Sequence, residues 1–281
     1  MGTMATGSGP ATLKDVWTIF DGLPLLYRTN ARPVPDGSRT IIHIHGFAIS
    51  GRYLLPTASR LASDYATYVP DLPGFGQSHR PPRPLTIDQL GDAVVRLMDQ
   101  QGIDRAVLLG NSLGCPIIAS LLDEHMDRIE AIVFVSPAGG LYNLPIYRGV
   151  VQMALAGLQE PPRMFPIALA DYARYGLMPS IHLLDSMLHY PTLRRLRELV
   201  LPTLVVIGSR DPLVSEPWIA RRAIALPHVT AAVIDGAAHA INFSHPDQLA
   251  NVVRCFLEDR PITADPTAKG GVRVFQTPVE P

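Results

Sequence analysis

Two cysteines, Cys115 and Cys255, are all that this 281-residue chain holds, too few for a disulfide framework or a zinc-ligand set. Neither sign of charge prevails, with 24 Lys and Arg against 25 Asp and Glu. Without a long basic run, and with a pI of about 6.8, the composition argues against a nucleic-acid surface and against a polybasic membrane contact. No apolar run reaches the length of a membrane span. The opening residues, Met1 to Gly9, have neither a basic region nor an apolar one, so no signal peptide is expected there. These absences predict a soluble, cytoplasmic globular protein whose partners are neither nucleic acid nor membrane.

What is present is a large apolar fraction, 47%, and a mean hydropathy of +0.16, enough for one sizeable core and incompatible with a disordered chain. Proline is abundant, 27 residues where average usage gives about 14. The prolines cluster at Pro33/Pro35, Pro81/Pro82/Pro84 and Pro161/Pro162, between periodic segments that they punctuate. Strands are predicted at Val16–Phe20, Leu23–Tyr27, Thr40–Ile44, Ala66–Val69, Arg105–Leu109, Ala131–Val135, Leu204–Ile207 and Ala231–Ile234. The later runs are almost wholly apolar, as strands covered on both faces require. Helices are predicted at Leu54–Ser63, Ile87–Gln101, Leu113–His125, Glu216–Ala225 and Asp247–Glu258. Alternating strands and helices imply right-handed crossovers and a mostly parallel sheet, with an antiparallel hairpin at Asp21-Gly22 on its edge. The rhythm breaks over 141–200, which holds only helix-like stretches such as Gly149–Leu158 and Ile181–Leu188. The expected organisation is a flexible segment over 1–15, a core of 16–140 and 201–259, a helical insertion at 141–200 and a loose tail over 260–281.

Gly110-Asn111-Ser112-Leu113-Gly114 is a G-x-S-x-G pentapeptide lying directly between an apolar strand and a helix. A nucleophile elbow has that context, because the sharp turn lifts the serine hydroxyl above the sheet and the flanking glycines let strand and helix approach. The helix N-terminus adds free N–H groups and a dipole that favours negative charge. A nucleophilic serine needs a base, and the base an orienting carboxylate. Asp211 follows the Leu204–Ile207 strand, and His239 follows the next one, so both fall on the same rim as Ser112. The order Ser, Asp, His is that of this architecture. Asp235 stays open as an alternative acid, although four residues of one loop give it poor geometry toward His239.

With His45-Gly46-Phe47 after the third strand and Asp71-Leu72-Pro73-Gly74-Phe75-Gly76-Gln77-Ser78 after the fourth, the chain resembles the α/β-hydrolases, of the serine-nucleophile, cap-bearing kind, over roughly Val16 to Glu258. The resemblance implies an α/β fold: a mostly parallel eight-stranded sheet flanked by helices, with a helical cap inserted between strands six and seven. It implies that the backbone N–H groups of Phe47 and Leu113 form an oxyanion hole, and that Gly46 and residues within 141–200 adjoin the substrate. Ser112 would then attack a carbonyl while His239 takes its proton and Asp211 fixes the imidazole. Water would clear the acyl-enzyme, with no cofactor and no metal. The Met-, Leu-, Ile- and Tyr-rich insertion, poor in charge apart from Arg194, Arg195 and Arg197 at its end, points to a neutral, apolar small-molecule carboxylic ester.

Rival readings attach to particular residues. His43 and His45 share one strand face and could start a metal site, but no Asp-His completion follows them. Cys115 is expected to be a small buried packer. The Asp71–Ser78 run is expected to be a structural turn. Serine at the elbow disfavours the dehalogenase and epoxide-hydrolase branches, which need a carboxylate nucleophile. Gly110-Asn111-Ser112 resembles the elbow of the C–C-cleaving meta-cleavage-product hydrolases, yet Ala240 follows His239 where those enzymes commonly carry Trp. Thioesterase, lactonase and perhydrolase chemistry fit the same triad, as does a hydrolase-fold ligand-binding receptor.

Overall fold

The structure, a computed structural model, describes residues 10–30, 39–138, 143–190, 192, 200–223, 226 and 228–276. In chain order it contains β1 (Lys14–Phe20), β2 (Leu23–Thr29), β3 (Thr40–Ile44), α1 (Leu55–Leu61), β4 (Ala66–Pro70), α2 (Ile87–Gln100), β5 (Ala106–Asn111), α3 (Gly114–Ser120) and β6 (Ile129–Val135). Three helices follow, α4 (Ile146–Gln159), α5 (Phe165–Tyr175) and α6 (Leu177–His189). The chain then re-enters the sheet with β7 (Thr203–Gly208), α7 (Glu216–Ala223), β8 (Val229–Ile234), α8 (Ile241–Ser244), α9 (Pro246–Leu257) and β9 (Val272–Gln276). One sheet runs in the order β1-β2-β4-β3-β5-β6-β7-β8-β9. The strands from β4 across to β8 pair in parallel, and β1, β2 and β9 join antiparallel at the two edges.

The period-2 alternation of the inner strands sorts their side chains into two cores. Ile42, Ile44, Leu108, Ile132, Phe134, Val205 and Ile207 pack with Leu90 and Val94 of α2 and Ile117 and Ile118 of α3. Their sequence neighbours Ile41, Val107, Leu109, Val133, Val135, Leu204 and Val206 pack with Leu249, Val252 and Val253 of α9. Burial on both faces is why these strands read as continuous apolar runs. Helix α2 starts at a capping box, with the Gln89 N–H donating to Thr86 Oγ1 at 3.2 Å and the Thr86 N–H donating to Gln89 Oε1 at 3.0 Å.

Three expectations need correction. The sheet has nine strands rather than eight. The tail expected to be loose over 260–281 supplies the ninth: Val272–Gln276 pairs antiparallel with Ile234–Thr230, and Arg273 is held by Glu216 and Asp235. The unpaired edge of β8 drives that pairing, a long-range demand that local composition does not reveal. The segment expected to be flexible over 1–15 already contains the start of β1 at Lys14, and the Ala11 N–H donates to the Ser59 carbonyl at 2.8 Å. Residues 1–9 lie outside the described ones, as do Arg194, Arg195 and Arg197.

Between β6 and β7, α5 is an element the prolines hid, since Pro166 sits in its first turn, where no intrahelical hydrogen bond is lost. Helix α6 buries Leu183, Leu184, Met187 and Leu188. Much of the apolar surface of the segment points outward, with Tyr147, Leu158 and Met178 exposed.

The run after β4 folds around one carboxylate. Asp71 accepts from Arg28 at 2.8 and 3.3 Å, from the Gly51 N–H at 2.9 Å and from the Gln77 N–H at 3.0 Å. Ser78 Oγ donates to the Asp71 carbonyl at 2.5 Å and accepts the Leu26 N–H at 2.9 Å. Asp71 therefore ties β2, the start of α1's lead-in and its own turn into one body. Arg28 and Asp71 are both buried, so removing the acid strands a guanidinium whose other carboxylate is the exposed Asp15. Asp71→Ala is expected to lower the unfolding free energy by about 3–5 kcal/mol, read from urea denaturation.

Candidate active site

Strand β5 ends at Asn111, and Ser112 turns the chain into α3 with φ of +54°, a left-handed conformation that costs a non-glycine residue roughly 1–2 kcal/mol. The neighbours enforce it. A Cβ on Gly110 would stand 2.6 Å from the Gly114 backbone, and one on Gly114 would stand 2.4 Å from the Ile44 carbonyl oxygen. Strand, elbow and helix can approach only because both positions lack a side chain. The Ser112 N–H donates to the Val135 carbonyl of β6 at 3.0 Å, fixing the turn from the adjacent strand.

Beyond β7, Asp211 occupies a tight turn in which its Oδ1 accepts the Leu213 N–H at 2.8 Å. Its Oδ2 faces His239 Nδ1 at 2.8 Å, with the carboxylate fully buried and the imidazole nearly so. Beside a carboxylate, Nδ1 carries the hydrogen, which leaves Nε2 as the basic nitrogen. Burial pulls the His239 pKa down, but the charge and hydrogen bond of Asp211, joined by the charge of Glu160, outweigh it and raise the pKa above the ordinary 6.5. Asp235 is not at His239. It is exposed and bound to Arg273 at 3.1 Å, on the side of β9.

The His45-Gly46-Phe47 loop reaches the elbow from β3. A Cβ on Gly46 would lie 3.4 Å from the Ser112 Cβ. The Gly46 N–H is taken by the Tyr53 hydroxyl at 2.8 Å, so Gly46 meets the serine through its backbone surface rather than through a free donor. Among the described residues, neither Phe47 nor Leu113 spends its backbone N–H on a protein acceptor. His45 lies beneath this loop as a neutral ring, Nδ1 donating to the Gly46 carbonyl and Nε2 accepting the Leu72 N–H, both at 3.0 Å. His43 is fully buried with no partner on either nitrogen among the described residues, and burial pushes its pKa down to about 3. No cluster of three or more metal-binding side chains occurs among the described residues. Cys115 is buried, its thiol donating to the Gly110 carbonyl at 3.3 Å, and burial pushes its pKa up.

Four residues that sequence reasoning passed over complete the surroundings. Tyr53 donates to Asn111 Oδ1 at 2.5 Å while accepting from Gly46, and Asn111 Nδ2 donates to the Val135 carbonyl at 3.0 Å and to the His239 carbonyl at 3.4 Å. This relay joins the loop after β3, the elbow and the His239 loop. From the helical insertion, Asp171 of α5 accepts both the Ser50 N–H at 2.8 Å and its hydroxyl at 2.6 Å, and Glu160 accepts the Ala240 N–H at 2.7 Å. No motif marks any of these, apart from Asn111, whose place inside the pentapeptide was its only signal.

A strand-order switch, a strained serine and an Asp–His pair on one rim define a class, and comparison with known proteins gives the same class. The chain belongs to the alpha/beta hydrolase family, which matches residues 41–252. Among curated relatives, it is 28% identical over 253 residues to the pimeloyl-[acyl-carrier protein] methyl ester esterase of Xanthomonas campestris pv. campestris, covering 79% of this chain and 96% of that one. It is 30% identical over 173 residues to the dihydrolipoyllysine-residue acetyltransferase component of the acetoin cleaving system of Cupriavidus necator. That match covers 62% of this chain and only 44% of the relative's length. The haloalkane dehalogenase DbeA of Bradyrhizobium elkani shares the fold, with a TM-score of 0.74 at 18% identity over 88% of this chain and 98% of that one. No helix among the described residues is long and apolar enough to cross a membrane.

The backbone strain at the elbow can be measured apart from any chemistry. Ser112→Gly and Ser112→Ala both remove the hydroxyl, but only glycine relaxes at φ of +54°. Ser112→Gly is expected to be the more stable of the two by about 1 kcal/mol in urea denaturation. Equal stability would show that the elbow is unstrained.

Proposed function

We propose that the protein is a carboxylesterase that cleaves a neutral, apolar small-molecule ester through an acyl-enzyme. Ser112 is the nucleophile, His239 the base and then the acid, and Asp211 the group that fixes the imidazole tautomer and stabilises its charged form. The Phe47 and Leu113 N–H groups hold the oxyanion, where losing one such donor typically costs about 3–4 kcal/mol of transition-state stabilisation. The observation that carries this reading is the part-buried 2.8 Å bond from His239 Nδ1 to Asp211 Oδ2, formed on the rim where the strained Ser112 stands. The methyl ester esterase among the relatives supports ester chemistry. Helices α4 to α6 act as the cap, and the charge-poor insertion favours an uncharged acyl chain. The reaction needs no metal and no cofactor, and the sequence fits a cytoplasmic setting.

The reading has direct tests. An organophosphonate should add a single adduct on the peptide containing Ser112, and an adduct elsewhere would reject the assignment. Asp211→Asn should slow turnover of a p-nitrophenyl ester by about 10⁴-fold, the loss expected when a triad acid becomes an amide, and Asp235→Asn should leave it nearly unchanged. Because only the neutral imidazole accepts the serine proton, kcat/KM should fall as the pH drops through the His239 pKa. That raised pKa places the midpoint above the ordinary histidine value. Across p-nitrophenyl esters of graded length, kcat/KM should rise and then fall, each buried methylene contributing roughly 0.8 kcal/mol until the pocket is full. A flat series with preference for a dicarboxylate dienone would favour C–C bond cleavage on the same triad.

A further inference from the structure

Glu160 closes α4, and its side chain reaches across to the His239 loop, against which Met164, Ile167 and Ala168 of the insertion also pack. Its two oxygens are used differently. Oε1 accepts the N–H of Ala240, the residue next to His239, at 2.7 Å. Oε2 is buried and has no hydrogen-bond partner among the described residues. Surface carboxylates are surrounded by water donors that dilute their field. A buried carboxylate oxygen without a donor is costly to keep, and its charge acts undiluted on whatever lies near. Among the described residues, the charges that act on His239 come from Asp211, in the turn after β7, and from Glu160 of the insertion. On Glu160 itself, burial is the largest influence and, with the Asp211 charge, works against the ionised form, leaving its pKa raised above the ordinary carboxylate value. The Ala240 N–H, the His239 charge and the His239 backbone amide work for it.

Resting on the esterase reading above, we propose that Glu160 is a second acid of the site: it positions the His239 loop through the Ala240 N–H and stabilises the imidazolium that forms during acyl transfer. In that step the Ser112 hydroxyl proton moves to His239 Nε2 as Ser112 Oγ bonds to the acyl carbon. The same proton then passes to the leaving alkoxide as the carbon–oxygen bond breaks. Glu160 gains and loses no proton in this sequence. It contributes only field and position, so it is a positioning residue rather than a catalytic one. Because Glu160 belongs to the insertion, the charge that complements Asp211 reaches His239 only when α4 is seated on the core. Seating of the insertion thereby becomes a condition for full activity as well as a cover for the substrate.

Two substitutions separate the parts of the proposal. Glu160→Gln keeps an oxygen that can accept the Ala240 N–H and removes the charge, whereas Glu160→Ala removes both. In Glu160→Gln, kcat on the best p-nitrophenyl ester should fall about tenfold with KM nearly unchanged. The acid limb of kcat/KM should move to lower pH by about half a pH unit or more, since the imidazolium has lost a stabilising charge. Glu160→Ala should lose more kcat than Glu160→Gln. The His239 titration followed by imidazole NMR in the wild type and in Glu160→Gln reads the same shift without any turnover. It therefore separates this proposal from the esterase reading: absence of turnover in the wild type would reject the latter alone. If the His239 midpoint and kcat of a folded Glu160→Gln both match the wild type, Glu160 is only a structural latch and the proposal fails. Should Glu160→Gln not fold, Glu160→Asp, which retains the charge, gives the complementary NMR reading, and a midpoint far below that of the wild type would overturn the proposal.

Discussion

The left-handed turn at Ser112 is the constraint around which the rest is arranged. A serine held at φ of +54° would relax if it could, and it cannot, because strand β5 and helix α3 are pinned on either side of it. The pins are local: Gly110 and Gly114 allow backbone approaches that any side chain would forbid, and the Ser112 N–H is bonded to β6. They are also global, since both flanking elements are buried in the core between β3, β6 and α2. The strain is thus held by the whole sheet, and in return the hydroxyl has one position relative to the strand ends.

The other groups of the site are then referenced to that position by hydrogen bonds rather than by covalent proximity. Asn111 sits one residue before the serine and reaches the His239 loop on one side and, through Tyr53, the Gly46 backbone on the other. Three loops from distant parts of the chain are registered against a single amide side chain. Chains of this kind strengthen one another in a low-dielectric interior, and each member is costly to leave unpaired. The helical insertion is fastened to two of the same loops, by Asp171 at Ser50 and by Glu160 at Ala240.

The parts of this arrangement that were legible in the sequence are those governed by short-range rules. Apolar runs located the inner strands, and the pentapeptide located Ser112. Asp211 and His239 could be named because each follows a core strand. The eventual partner of His239 had a rival in Asp235 that only the three-dimensional arrangement removes, by giving Asp235 to Arg273. Tyr53, Asp171 and Glu160 were invisible because a single tyrosine or acid in a loop or helix has no periodicity, and its meaning lies in what it meets across 58, 121 or 80 residues. Strand β9 was missed for the same reason. Its five residues carry a weak pattern, and the demand for them comes from β8.

That last strand has a consequence for how the chain is made. During synthesis the sheet can assemble from β1 to β8 while residues beyond α9 are still emerging, and through that interval β8 presents an open row of backbone donors and acceptors. Only when Val272–Gln276 has been delivered is β8 covered, and the short β9, with Arg273 held by Glu216 and Asp235, becomes the outer strand. Neighbouring nascent chains on one message, each with the same open edge, would be each other's nearest partners for strand pairing. Strand β9 therefore shields β8 in time as well as in space, because the longer six-residue edge stays open until the five-residue one arrives.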